Sequence, residues 1–87
     1  MDDLVLRRKR LLYKARHRGT QESDLVLGGF AERHVGTFSA PELDQFEALV
    51  EQADAELMDW ISGRAPVPQG LEGSVFQLLV NYKNSII

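Results

Sequence analysis

Apolar residues recur at intervals of three and four along successive stretches of this chain, and no stretch alternates strictly between apolar and polar. That spacing gathers side chains on one face of a helix and would scatter them over both faces of a strand. A chain patterned this way buries its apolar surface by packing helix on helix. With 87 residues it has room for one core, near the lower limit at which a core holds without staples. No cysteine is present, so disulfides, thiolate zinc sites and thiol nucleophiles are excluded. Packing alone must hold the fold, and the lack of cysteine fits a reducing compartment.

Glycine and proline divide the pattern into five predicted helices. The first runs roughly from Leu4 to His17, with Leu4, Leu11, Leu12 and Ala15 in loose helical register. Arg18-Gly19-Thr20 breaks it, and Gly19 is well placed for the left-handed conformation after a helix end. The second, from about Gln21 to Val35, carries Leu27, Phe30, Ala31, His34 and Val35 on one face. Gly28 and Gly29 lie inside it and cost it about 1 kcal/mol each in propensity. Packing must therefore hold that helix, or a neighbour must approach closely there.

The third helix has the clearest start signal. Ser39-Ala40-Pro41-Glu42 reads as a capping box, with Pro41 tolerated in the first turn and Phe38 and Leu43 as a hydrophobic staple. Leu43, Phe46, Leu49 and Val50 then face the core. Asp54 is expected to cap a short fourth helix bearing Leu57, Met58, Trp60 and Ile61, and Gly63 to end it. Trp60 is read as core or half-buried packing. Residues 65–70 form a stiff connector around Pro66 and Pro68. A fifth helix places Leu71, Val75, Leu78, Leu79 and Tyr82 on one face and is expected to fray from Asn81 onward. The expected architecture is an all-α, compact five-helix bundle: a single domain over 1–87, with its core at about 7–82 and short flexible termini.

The net charge is −3, but it is unevenly spread. Arg7, Arg8, Lys9, Arg10, Lys14, Arg16 and Arg18 supply seven of the ten basic residues, while Glu42, Asp44, Glu47, Glu51, Asp54, Glu56 and Asp59 gather later. The basic first helix could meet phosphates, which makes a nucleic-acid-binding or regulatory module the alternative reading. The negative total and the lack of a helix-turn-helix or zinc pattern favour a solvated cationic face or a patch for an acidic protein partner. No apolar run is long enough to span a membrane. The start of the chain lacks the apolar region of a secretory signal, and Asp2 and Asp3 argue against a mitochondrial transit peptide. The expectation is a bacterial cytoplasmic protein without membrane insertion.

Catalytic patterns are not found. His17 and His34 are far apart in sequence without a matching carboxylate set, so no metal is expected; His34 reads as packed and His17 as solvent-facing. The serines lack a nucleophile-elbow context, and the glycines form neither a Walker loop nor a dinucleotide fingerprint. An autonomous enzyme is therefore not expected.

From Arg10 to Phe30 the chain reads Arg-Leu-Leu-Tyr-x-x-Arg-x-Arg-Gly-x-x-Glu-x-Asp-Leu-x-Leu-x-x-Phe. This closely resembles the succinate dehydrogenase assembly factor two family, the flavinators. The likeness extends over roughly Arg7 to Tyr82 and includes Leu57-Met58-Asp59-Trp60, where the family also places a tryptophan after a short acidic helix. The resemblance implies a small five-helix protein that binds the flavoprotein subunit of succinate dehydrogenase, in some members also fumarate reductase. Such a protein promotes covalent attachment of FAD to that partner, with no cofactor of its own, and is expected to be a monomer when free. It also implies that Arg18, Gly19 and Glu22 form the partner-binding surface, flanked by Tyr13, Arg16, His17 and Asp24. Thr20-Gln21 departs from the apolar residue that many relatives carry after the glycine.

The residues themselves suggest roles at that surface. Gly19 allows a close approach of backbone to a partner. Arg18 offers a planar fork of donors, either to a partner or to Glu22 or Asp24 within the chain. Glu22 falls in the first turn of the second helix, where the dipole favours its charge. Of Tyr13 and Phe30, one is expected to pack and the other to edge the interface.

Overall fold

The computed structural model describes residues 3–86; Met1, Asp2 and Ile87 lie outside it. Five α-helices make up most of it: α1 (Asp3–Arg16), α2 (Gln21–His34), α3 (Ala40–Val50), α4 (Asp54–Ile61) and α5 (Ser74–Ile86). Short 3₁₀ turns at Val35–Thr37 and Gln69–Leu71 lead into α3 and α5. There is no strand among the described residues. The all-α bundle expected from the spacing is the one observed.

α1 packs against α2 and α3, and α5 closes over α2, α3 and α4. The buried residues follow the predicted faces: Leu11 and Ala15 from α1, Leu27, Phe30 and Ala31 from α2, and Leu43, Phe46, Leu49 and Val50 from α3. Leu57, Met58 and Ile61 of α4, Val75 and Leu79 of α5, and Val26, Val35 and Phe38 complete the core; Val26, fully buried on α2, was not among the residues expected there. Trp60 is half-buried against it. Phe30 lies at its centre, with ring centroids 4.7 Å from His34, 5.6 Å from Phe46 and 6.0 Å from both Phe38 and Tyr82. Aromatic pairs at such separations add to simple area burial. Phe30 is thus the packing member of its pair with Tyr13, a residue that is 64% exposed.

Local start and stop signals operate as the residues suggest. Ser39 accepts from the Glu42 amide while the Glu42 carboxylate accepts from the Ser39 amide, so the capping box is complete. After α4, Gly63 adopts φ +81°. Its amide donates to the Trp60 carbonyl, and the Arg64 amide donates to the Asp59 carbonyl. These two bonds form a Schellman ending that satisfies carbonyls left over at the end of the helix.

Three local expectations fail. Ala53, not Asp54, holds the N-cap position of α4, and Asp54 is its first residue. The Asp54 carboxylate is engaged elsewhere, as described below. Leu71 lies in the 3₁₀ turn before α5 rather than on its face. In its place Gln45 of α3 reaches across and accepts from the Val75 amide at 3.2 Å, capping α5 from another helix. Finally, the helical backbone of α5 extends past Asn81 to Ile86, with Tyr82 packed on the core.

The glycine pair in α2 marks close approaches. A Cβ on Gly28 would lie 3.3 Å from Cγ of Arg16, and one on Gly29 would run into the Tyr82 hydroxyl. Tertiary packing thus offsets the helix-propensity cost of both residues.

The charge asymmetry is used partly within the fold. Arg7 donates to Asp44 at 2.6 Å and Glu47 at 3.0 Å, joining α1 to α3. The hydrogen bond to Asp44 is the main reason its guanidinium is held above the usual arginine range. Arg8 donates to the Phe38 carbonyl at 2.8 Å.

Candidate functional site

The Arg-Gly-x-x-Glu segment forms the corner between α1 and α2, and each of its residues is placed by a distinct local force. α1 ends at Arg16, whose side chain pairs with Glu32 on the exposed surface. The Arg18 amide donates to the Asp24 carboxylate at 2.6 Å, which ties the corner to the first turn of α2. Gly19 has φ +111°, a region L side chains rarely adopt, and its missing side chain faces open space. Thr20 is extended and its hydroxyl accepts from the Ser23 amide at 3.2 Å, so it caps α2.

The Arg18 side chain turns inward and is only 8% exposed. Its Nε donates to Asp54 at 2.7 Å, Nη2 donates to the Gln52 carbonyl at 2.6 Å, and Nη1 donates to the Val50 carbonyl. These acceptors are the last residue of α3, the α3–α4 connector and the first residue of α4. A guanidinium suits them well: it neutralises Asp54 and satisfies carbonyls at the negative end of α3. Within the chain, then, Arg18 pairs through its side chain with Asp54 rather than with Glu22 or Asp24. None of Asp54, Val50 and Gln52 was expected from sequence as a partner of Arg18. The separation of basic and acidic stretches was the only trace of this pairing.

Glu22 presents the opposite case. It is exposed in the first turn of α2, and its carboxylate has no hydrogen bond or ion pair among the described residues. Tyr13 and His17 stack one turn apart on the exposed end of α1, with centroids 4.0 Å apart and planes 20° apart. His17 Nδ1 lies 2.8 Å from the Tyr13 carbonyl, which can only accept, so this ring nitrogen carries the proton.

Two open grooves flank the Arg18–Asp54 pair. One, of about 380 Å³, lies between the Tyr13–His17 stack and Glu51, Gln52 and Ala53 of the α3–α4 connector. The other, of about 360 Å³, is lined by Thr20, Glu22, Asp54, Met58, Asp59 and Arg64. Asp54 borders both. The corner is therefore a ridge carrying Gly19, with a groove on each side.

His34 is half-buried against Phe30 and Phe38, far from this corner in sequence. Burial lowers its pKa, and the neighbouring Arg33 adds to the effect. No group of three or more histidine, aspartate or glutamate side chains among the described residues could hold a metal ion. No helix among them is long and apolar enough to cross a membrane. The arginines of the basic stretch that make internal contacts are Arg7, Arg8, Arg16 and Arg18. Four of its seven cations are thus engaged within the chain, and the nucleic-acid reading of α1 is left without support.

A family model described as the flavinator of succinate dehydrogenase matches residues 9–83, nearly the whole helical bundle. The chain belongs to this family. Among the flavinator relatives, the FAD assembly factor SdhE of Acetobacter pasteurianus is 47% identical over 68 residues, 78% of this chain and 62% of that protein. The mitochondrial succinate dehydrogenase assembly factor 2 of Dictyostelium discoideum is 35% identical over 75 residues, 86% of this chain and 53% of its own length. That of Danio rerio is 32% identical over 81 residues, 91% of this chain and 51% of its own length. The chain thus spans about half to three-fifths of the length of these curated relatives. The flavinator match takes in the whole corner, from Tyr13 through Asp54, including every residue that the motif reading assigned to a partner surface.

Proposed function

We propose that this flavinator-family chain is an assembly factor that binds the flavoprotein subunit of succinate dehydrogenase and promotes covalent attachment of FAD to it. The single observation that carries the reading is the family match over 9–83, which contains an exposed Gly19–Glu22 edge whose carboxylate is unpaired among the described residues. Fumarate reductase, with a related flavoprotein, is the second client. The chain acts in the cytoplasm as a monomer when free and holds no flavin of its own; the FAD belongs to the partner.

In this reading the helper supplies geometry and no nucleophile. Bond formation between the flavin and its acceptor is chemistry of the client. The helper binds the client and holds it in the arrangement in which these groups meet. That is rate enhancement by positioning, or equally selection of a competent conformer. Gly19 admits the client's backbone at close range, and Glu22 offers its carboxylate to donors there. Tyr13 and His17 supply a flat, exposed aromatic face with a polar edge, the kind of surface enriched at interfaces. Arg16 and Asp24 flank the contact, Asp24 by fixing the corner that carries it.

The test is deletion of the gene followed by denaturing electrophoresis and in-gel flavin fluorescence of the succinate dehydrogenase flavoprotein. Loss of the covalent flavin band, restored by the wild-type chain, is the expected result. Full covalent flavin in the deletion strain would remove the proposal.

A further inference from the structure

We infer that Arg18 is a positioning residue that locks the α3–α4 connector to the Gly19 ridge, so that the client meets one composite surface made of both loops. This rests on the proposed function. The guanidinium is 8% exposed, and each of its three nitrogens already donates to an acceptor of this chain. To reach a client, Arg18 would have to abandon three charge-assisted hydrogen bonds and leave Asp54 uncompensated. Its neighbours in the motif have no such commitments: Gly19 faces open space, and Glu22 has no partner among the described residues. The motif thus divides into an inward-facing anchor and an outward-facing edge.

The anchor works at both ends of one residue. At the backbone, the Arg18 amide is held by Asp24 in the first turn of α2. At the tip, the guanidinium spans the end of α3, the connector and the start of α4. Arg18 therefore fixes two loops, residues 17–20 and 51–53, in one relative placement, and Asp54 between them forms a wall of both grooves. Each of the three acceptors is met by a different nitrogen of the planar fork. The single nitrogen of a lysine cannot span them. The surface offered to the client accordingly includes Glu51, Gln52 and Ala53, which the motif does not contain.

The experiment uses the full chain with the flavoprotein subunit and FAD, following covalent flavin fluorescence over time for wild type, Arg18→Lys, Asp54→Asn and the double variant. Amide hydrogen exchange is measured on each free protein. Each single variant should slow flavinylation about tenfold or more, the scale of loss caused by small misplacements of reacting groups. The double variant should be no slower than the slower single one, because both changes open the same latch. Exchange should quicken together in residues 17–20 and 51–53, with core amides of α2 and α3 still protected.

Three results would overturn the inference: wild-type flavinylation by Asp54→Asn, effects that multiply in the double variant, or unchanged exchange in 51–53 when Arg18 becomes lysine. Loss of core protection in Arg18→Lys would also overturn it, by making Arg18 a residue of the fold alone. If wild type itself raised no covalent flavin, the proposed function would fall, and the exchange comparison would still decide whether the latch couples the two loops.

Discussion

The start of α2 and its middle are built to opposite specifications. In the middle, Gly28, Gly29 and Phe30 sit where neighbours leave no room: Arg16 crosses one glycine, the Tyr82 hydroxyl crosses the other, and Phe30 is fully buried. At the start, Gly19 has nothing within reach of a side chain, and Glu22 carries its charge into solvent. Glycine serves both places for different reasons. In the helix it is favoured by the side chains that crowd it, whereas at the corner it is required by its own backbone, with φ at +111°. A side chain in the middle would disturb this protein, while one at the corner would also stand in the way of another.

The two specifications separate most clearly under substitution, where loss of stability and loss of function should come apart along α2. Phe30→Ala should have the largest effect on the fold, about 3–5 kcal/mol. It removes the ring that meets His34, Phe38, Phe46 and Tyr82. In a domain this small that is a large part of the total stability, so denaturant melts should shift far and flavinylation should fall only in step with the folded fraction. Gly19→Arg comes next. Its backbone strain should cost about 1–3 kcal/mol. Its failure to support flavinylation should exceed anything that strain explains, because the new side chain projects from the ridge. Near-normal flavinylation by folded Gly19→Arg protein would place the client contact elsewhere.

Gly29→Ala sets two terms against each other. Alanine favours the helix by about 1 kcal/mol. Its Cβ, however, must displace Tyr82, which is held against Phe30 and beneath Arg33. The net change in a urea melt should be small. In a Tyr82→Phe background, which removes the atom the Cβ meets first and leaves the ring carbon at 3.1 Å to give slightly, the same substitution should be more favourable than in wild type, by at most about 1 kcal/mol. An equal effect in both backgrounds would show that Tyr82 is not the reason for the glycine.

His34 closes the packed region, and the sign of its contribution follows from its lowered pKa. The folded state prefers the neutral ring, so its contribution is fully present above the ordinary histidine value of 6.5 and is lost as pH falls through the lowered folded value. Melts taken across the mildly acid range should show this slope in wild type, and it should flatten in His34→Gln.

How much of this was legible beforehand depended on sequence distance. The capping box at Ser39 and Glu42 spans a separation of only three and could be read directly. So could the helical faces, the left-handed Gly19 and the need for a close neighbour beside Gly28 and Gly29. Which neighbour it was could not be read, since Tyr82 comes from another helix. The same limit explains the misassigned Asp54. A carboxylate ahead of an apolar run looks like a cap, but the partner that claims it, Arg18, is 36 residues away. Gln45 capping α5 from α3 is a second such case, at a separation of 30. Local spacing carries helix starts, faces and stops. It does not carry the pairing of one loop with another, on which the candidate site depends.

Glu22→Ala is the smallest perturbation of the fold and the sharpest test of the comparison. The side chain contacts nothing that needs it among the described residues, and alanine is the better helix former. What is lost is a modest attraction to the helix dipole, so stability should change by no more than about 0.5 kcal/mol. If the start of α2 exists for a client, flavinylation should nonetheless fall about tenfold, the loss that goes with about 1.4 kcal/mol of binding. Glu22→Gln should then recover part of the rate if the carboxylate acts as a hydrogen-bond acceptor, and none if its charge is what the client reads. A Glu22→Ala protein with wild-type melting and wild-type flavinylation would reduce this residue to a first-turn acid, and the open end of α2 would need another explanation.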